Sequence, residues 1–346
     1  MSAKKLRSKT YKVTDTAEAI ELYYSKGWTD GLPVIPPTGE KIQAMLDSVR
    51  MNPDEEVVFI ESRQVSVTAE KVAINAVMAG CKPEYMPVLV AAIEAIGDPQ
   101  YDYHGPSTST GGAAVFILVN GPIARNLDIN CGENLFGPGW RANATIGRAV
   151  GLVMRNVIRT IPGKLDRSTF GHAGKYTYCI AENEAESPWP PVHVERGFEP
   201  NENAVTVFPG LAPHQVYNQL SETGEGVLTT IADNMHISGG VGMVGQHYVV
   251  VIAGEHMRIL SKDAWSKADI KQFLFEHTKN SIAHLKRTHR MAGPVLPEDE
   301  TSMRPIVQTL EDIMVVAAGG DVGPYSAFIP GWGSKSKSVT KKIRRL

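Results

Sequence analysis

Cysteine is scarce, with only Cys81, Cys131 and Cys179 in 346 residues. Three thiols cannot all pair within one chain and they lack zinc-ribbon spacing. A disulfide scaffold is therefore not expected, and a reducing, cytoplasmic compartment is. Long apolar runs are missing as well. No stretch reaches the roughly 18 to 20 apolar residues of a membrane span, so no membrane partner is expected. The basic start MSAKKLRSKTYK runs into VTDTAEAIELYY rather than an apolar segment, so no secretory signal is expected. What is present is the composition of a globular protein: 42% hydrophobic and 21% charged residues exclude disorder, and 32 glycines without a period exclude collagen.

The net charge of -2 averages unlike regions. Residues 1–12 carry five basic side chains and residues 334–346 carry six, with no acid in either. The remainder holds 24 basic against 37 acidic residues. Such a body repels nucleic acid, which is not expected as a partner. The basic ends are either solvated tails or docking elements for an acidic surface, such as that of a neighbouring subunit in a homo-oligomer.

Periodicity and turn signals predict an α/β chain. A short helix over 15–27 precedes WTDGLPVIPPT, an extended segment of the kind that wraps a surface or shapes a cleft wall. Thr38 and Thr68 each start a helix, and Pro83 opens another that ends at Gly97. AAVFILVNGP reads as a strand buried on both faces and broken at a glycine, a pattern repeated in HYVVVIAGEH and EDIMVVAAGGD. This grammar suggests internally pseudo-repeated α/β units with buried strands ending in glycine turns, with 57–129 and 205–270 as divergent copies. The expected division is a basic tail over 1–14, a first α/β unit over 15–130, a central loop-helix-strand segment over 131–200, a second unit over 201–333 and a basic tail over 334–346. HISGGVGMVG precedes a strand where a Rossmann loop must follow one, and no GxxxxGK[ST] occurs, so neither a Rossmann nor a P-loop fold is expected.

The central segment concentrates chemistry. As a strand, KYTYCIAENE puts Cys179, Ala181 and Asn183 on one face and Tyr178, Ile180, Glu182 and Glu184 on the other. Cys179 is either a small buried side chain or a thiolate activated by a cation such as Lys175 or His193. PPVHVERGF, if extended, places His193 and Glu195 on one face, as an oriented base, a structural salt bridge or two metal ligands lacking a third. No metal is therefore assigned, and no cofactor is indicated. Arg196 would point oppositely as a carboxylate fork. Two loops could bind anions: the one after His104, with Thr108 and Gly111, and GPGWRANATIG, where Arg141 supplies charge and Asn143 could cap the following helix. That helix carries Ile146, Ala149, Val150, Val153 and Val157 on one stripe.

In DGLPVIPPT, AVMAGCKPEYMPV, GPGWRANATIGRA, KYTYCIAENEAESPWPPVHVERGF and SKADIKQFLFEH the chain resembles a bacterial family whose members accompany, or are fused to, the UGSC domain, named for its selenocysteine- or cysteine-Gly-Ser-Cys motif. The resemblance spans about residues 20 to 340. It implies thiol-linked reduction or carbon–heteroatom cleavage. The UGSC motif itself does not occur here, so a redox thiol or selenol would come from a separate protein. Cys131 stands where the family has a serine-like residue, STSTGG replaces a loop with a second histidine, and residues 322–325 replace a lysine–histidine pair.

The expectation is an enzyme acting on a small polar, anionic organic molecule. Cys179 would be the nucleophile or redox thiol, His193 the acid or base, Glu182 or Glu195 its orienting carboxylate, and His104 a further catalytic group. Arg141, Asn143, Lys175, Asn183, Arg196, Thr108 and Gly111 would bind substrate. The alternatives are a non-catalytic partner of a UGSC-type redox protein, and a cofactor-independent hydrolase or lyase using His193 and Glu195.

Overall fold

The computed structural model describes residues 6–237, 246–333 and 335–344. The glycine-rich stretch 238–245, on which the Rossmann comparison partly turned, lies outside them.

The first half runs α1 (Thr16–Ser25), α2 (Gly39–Ser48), a hairpin of β1 (Glu56–Ile60) and β2 (Val65–Thr68), α3 (Ala69–Ala79), α4 (Met86–Ile96) and α5 (His104–Thr108). It continues through β3 (Ala114–Asn120), α6 (Pro122–Asn126), α7 (Arg141–Asn156), β4 (Cys179–Ala181), α8 (Val192–Glu195) and β5 (Ala204–Gly210). The second half runs β6 (His214–Tyr217), α9 (Gly224–Ile237), β7 (Tyr248–Ile252), α10 (Gly254–Lys262) and α11 (Lys267–His277). It ends with β8 (Asn280–Ser281), α12 (Ile282–Arg287), β9 (Met303–Arg304), β10 (Ile313–Ala317), β11 (Tyr325–Pro330) and β12 (Val339–Lys342). Local chemistry sets several boundaries. Asp15 accepts from the Glu18 N–H at the start of α1, and Gly80, at φ +94°, ends α3 in a left-handed conformation that glycine adopts without strain.

Two four-stranded sheets stack face to face between layers of helices. The first has the order β12-β5-β3-β4 and the second β6-β11-β7-β10, and in both the pairing is antiparallel, antiparallel, parallel. Alternation along each strand explains the stack. In β3, Ala114, Phe116 and Leu118 meet Val249 and Val251 of β7 between the sheets, while Val115, Ile117 and Val119 face the helical layer with α3, α4 and α7. Tyr248, Val250 and Ile252 face the opposite layer, with α9, α10 and α11. The central strands are buried on both faces, as their unbroken apolar runs require. No helix of the described residues is long and apolar enough to cross a membrane.

The halves interlock. β6 follows β5 in the chain but pairs with β11 in the second sheet, and β12 follows β11 but pairs with β5 in the first. The division at 200/201 therefore does not separate two sheets, because β5 and β12 both belong to the first.

Among the described residues, parts of the basic ends are docked. Lys341 reaches Asp98 at 2.6 Å, Lys342 pairs with Glu202, and Lys337 lies 3.1 Å from Asp312. At the other end the backbone N–H groups of Arg7 and Ser8 donate to Glu70. The acidic surface they dock on is that of their own chain.

Two central elements differ from expectation. The strand in KYTYCIAENE ends at Ala181, because the Asn183 N–H turns away to the Ala317 carbonyl at 2.7 Å. Cys179 and Ala181 do share the helix-facing side, with Tyr178 and Ile180 opposite, but the alternation stops there. PPVHVERGF is not extended. Pro191 caps the short helix α8, so His193 and Glu195 do not share a strand face.

Candidate functional site

The structure gathers part of the expected chemistry into a buried ionic network rather than a cleft. Glu182, with a fully buried side chain, accepts from Asn120 Nδ2 at 2.7 Å, from the Val192 N–H at 2.8 Å and from Lys267 Nζ at 3.0 Å. Lys267 also holds Glu195 at 2.9 Å, which Lys271 meets at 2.8 Å. Glu184 accepts from Asn120 and from the Gly121 N–H. His193 is buried with neither ring nitrogen hydrogen-bonded among the described residues, and its Nδ1 lies 3.8 Å from Glu184. Glu182, Glu195 and His193 thus come together, joined by Asn120, Glu184, Lys267 and Lys271, which the sequence did not single out. The network clamps the 182–196 segment onto α11. Its saturated carboxylates are what a desolvated structural cluster needs.

Cys179 is not part of it. The thiol faces the helical core, and burial pushes its pKa far up, with no cation to reverse the shift. Such a group is a poor nucleophile. Cys81 is likewise pushed up to about 12 by burial. Several proposed binding groups have structural partners. Arg141 donates twice to the Gly80 carbonyl at the end of α3, through Nε at 3.0 Å and NH2 at 2.9 Å. Asn143 lies inside α7 rather than capping it, and ties the Asn130 backbone to the Cys179 carbonyl. Asn183 bonds Glu186, Thr108 bonds the His104 carbonyl, and the Gly111 N–H donates to Ser109. Arg196 meets the hydroxyls of Thr340 and Ser338 instead of a carboxylate. His104 accepts from Arg63, whose other terminal nitrogen donates to Ser107.

A cavity of about 440 Å³ opens elsewhere, at the amino ends of β3 and β4, and takes in Lys175 alone of the expected residues. One wall is α7, where Arg148, Gly151 and Arg155 fall at i, i+3 and i+7 on a single stripe. The glycine leaves a notch between the two arginine stems. Arg148 grips Asp30 through two bonds, at 2.7 and 2.9 Å, and the Pro33 carbonyl at 2.9 Å, so the extended segment contributes Asp30 to the lining while its prolines stay out of it. Among the described residues Arg155 reaches only the Gly27 carbonyl, at 3.3 Å. The facing wall is the 160–176 loop. There Lys175 meets Asp166 at 2.6 Å, and Asp166 also accepts the Ser168 N–H and hydroxyl. Burial alone would push the Asp166 carboxyl up, but Lys175 and Ser168 together hold it below the usual range. His172 accepts the Gly174 N–H on Nδ1, and burial pushes its pKa down, which makes it a neutral wall group. Tyr103, Val115, Val150 and Met154 supply apolar surface.

Of these residues the sequence could have offered Arg148, Gly151 and Arg155, whose spacing opposes the apolar stripe of the helix. Asp30 and Asp166 carry no local signal. No protein-family model matches the chain, and no curated protein matches it.

Proposed function

We propose that the chain is an enzyme acting on a small organic anion held in this cavity. The observation that carries the reading is the charge of the wall: Arg148, Arg155 and Lys175 against Asp30 and Asp166, both already paired. Arg155 is left without a carboxylate partner among the described residues, a local positive site in a protein whose overall field does not attract anions. The apolar surface beside it suits an organic ligand better than a bare inorganic ion. In hydrolytic carbon–heteroatom cleavage, Arg155 would hold a carboxylate while a water attacks the carbon and releases its proton to solvent, and the electron pair of the broken bond leaves on the heteroatom, which takes a proton from Lys175.

No cysteine lines the cavity. A thiol-linked reduction here would take its thiol or selenol from a separate UGSC-type protein, which keeps the partner-subunit reading as the second choice. The matched strand pairing and exchanged edge strands support a repeat that equates β3, β4 and β5 with β7, β10 and β11, rather than 57–129 with 205–270, because β1 lies in a hairpin with β2 whereas β5 lies in a four-stranded sheet. The position of the cavity at amino ends of parallel strands supports a fold unlike the doubly wound nucleotide binders, which use carboxyl ends.

The test is calorimetric titration of wild type, Arg155→Met and Lys175→Met with small carboxylates and their neutral amides. Carboxylates should bind in preference to amides, and each substitution should weaken binding at least about tenfold, one charge-assisted contact. Equal binding of amides, or wild-type affinity in both variants, overturns the reading.

A further inference from the structure

The two sheets treat their exchanged edge strands differently. β12 reads VTKK, and its two lysines are engaged by Asp98 and Glu202. Charged side chains of this kind discourage a further strand from adding. β6 reads HQVY, with no lysine, proline or bulge, and no described strand pairs with its outer side. The Asn218 N–H donates to the Pro324 carbonyl at 3.1 Å, and β6 keeps register with β11 from Tyr217↔Tyr325 to His214↔Phe328. Antiparallel alternation then turns the backbone groups of His214 and Val216 towards β11 and those of Gln215 and Tyr217 outward. The side chains beside this edge are uncovered. Tyr217 and Tyr325 form a ring pair with centroids 5.0 Å apart, both exposed, next to Leu220 at 91% and Val322 at 87% exposure.

We propose that β6 is a dimerisation edge, on which a second copy of this chain lays its own β6 antiparallel about a two-fold axis at Val216. Self-pairing is what the geometry favours. The outward residues Gln215 and Tyr217 sit symmetrically about Val216, so Gln215 of one copy meets Tyr217 of the other and both pairs exchange N–H···O bonds. The two four-stranded sheets become one of eight strands, and the tyrosine pairs gain cover from the partner copy. Charge agrees, since residues 203–221 contain no Asp, Glu, Lys or Arg, in a chain with 37 acidic residues. The strand itself therefore sets no like charges face to face between two copies, and Asp321, beside Val322, is paired with Arg258.

Light scattering coupled to size exclusion should give a mass near twice 37.6 kDa for the full chain. Gln215→Pro removes only an outward N–H, and Tyr217→Lys installs the guard that β12 carries. Each should raise the dimer dissociation constant by about tenfold or more while leaving the far-ultraviolet circular dichroism unchanged. Hydrogen exchange at the Gln215 and Tyr217 amides should slow with rising concentration in wild type only. A monomeric wild type, or a dimer that survives both substitutions, overturns the proposal. If both variants lose secondary structure, wild-type exchange at those two amides decides, and protection independent of concentration overturns it.

Discussion

Replacing Lys267 with methionine keeps the length of the side chain in α11 and removes its charge. The side chains of Lys267 and Glu182 are 4% and 0% exposed, with Nζ 3.0 Å from the carboxylate. Without the ammonium, Glu182 keeps the Asn120 and Val192 donors but is a buried carboxylate with no cation. Breaking a buried pair from one side costs about 3–5 kcal/mol, most of it the stranded charge. Glu195 adds little, because it is 24% exposed and retains Lys271. With a urea slope of about 2–3 kcal/mol/M, the midpoint should fall by roughly 1–2.5 M. Trp189 is the probe: it is buried in the clamped segment and donates to the Trp265 carbonyl at 2.7 Å. Adding Glu182→Gln removes the stranded charge yet keeps an acceptor for Asn120 and Val192, and should restore at least about 2 kcal/mol. A single substitution costing under about 1 kcal/mol, or a double no more stable than the single, would refute the claim that this pair is desolvated.

Three further outcomes are expected. Thiol titration of the native protein at pH 8 should find at most Cys131, with Cys81 and Cys179 reacting only after unfolding, since both are buried with raised pKa values; fast labelling of Cys179 would restore it as a candidate nucleophile. Burial would push the Asp312 carboxyl up, but His247, the Thr309 N–H and Lys337 hold it well below its usual value. Its contribution to stability is complete above about pH 5 and is lost as pH falls through the depressed pKa. Asp312→Asn should therefore be less stable at pH 6 and lose less on acidification, as followed by circular dichroism, and parallel acid limbs would count against this. Gly147→Ala would place a methyl 2.6 Å from the Tyr178 backbone nitrogen, where α7 crosses the start of β4. It should lower stability by about 1–3 kcal/mol less a helix-propensity gain of about 1, and a more stable variant would show that the crossing can open.

Much of the framework was legible because it is written locally. β3, β7 and β10 are announced by their apolar runs, and α1 and α3 by Asp15 and Gly80. Misreadings arose where a distant contact overrules local pattern. KYTYCIAENE alternates well enough for a longer strand, but the Ala317 carbonyl takes the Asn183 N–H. PPVHVERGF, whose prolines favour an extended chain, turns into the short helix α8.

Alternation and capping depend on neighbours a few residues away, so the amino-acid order alone settles elements such as β3, β7, β10, α1 and α3 and which of their faces are apolar, but not the end of β4 or the helical turn of α8. The cavity depends on segments far apart. Arg148 finds Asp30 118 residues away, and Lys175 faces them from the opposite wall only because β4 lies beside β3 in a sheet with helices behind it. The tertiary structure also decided the roles of shared residue types. Burial made Cys179 a packing group and Glu182 half of a clamp, whereas Arg155 and Lys175, partly exposed, line the cavity.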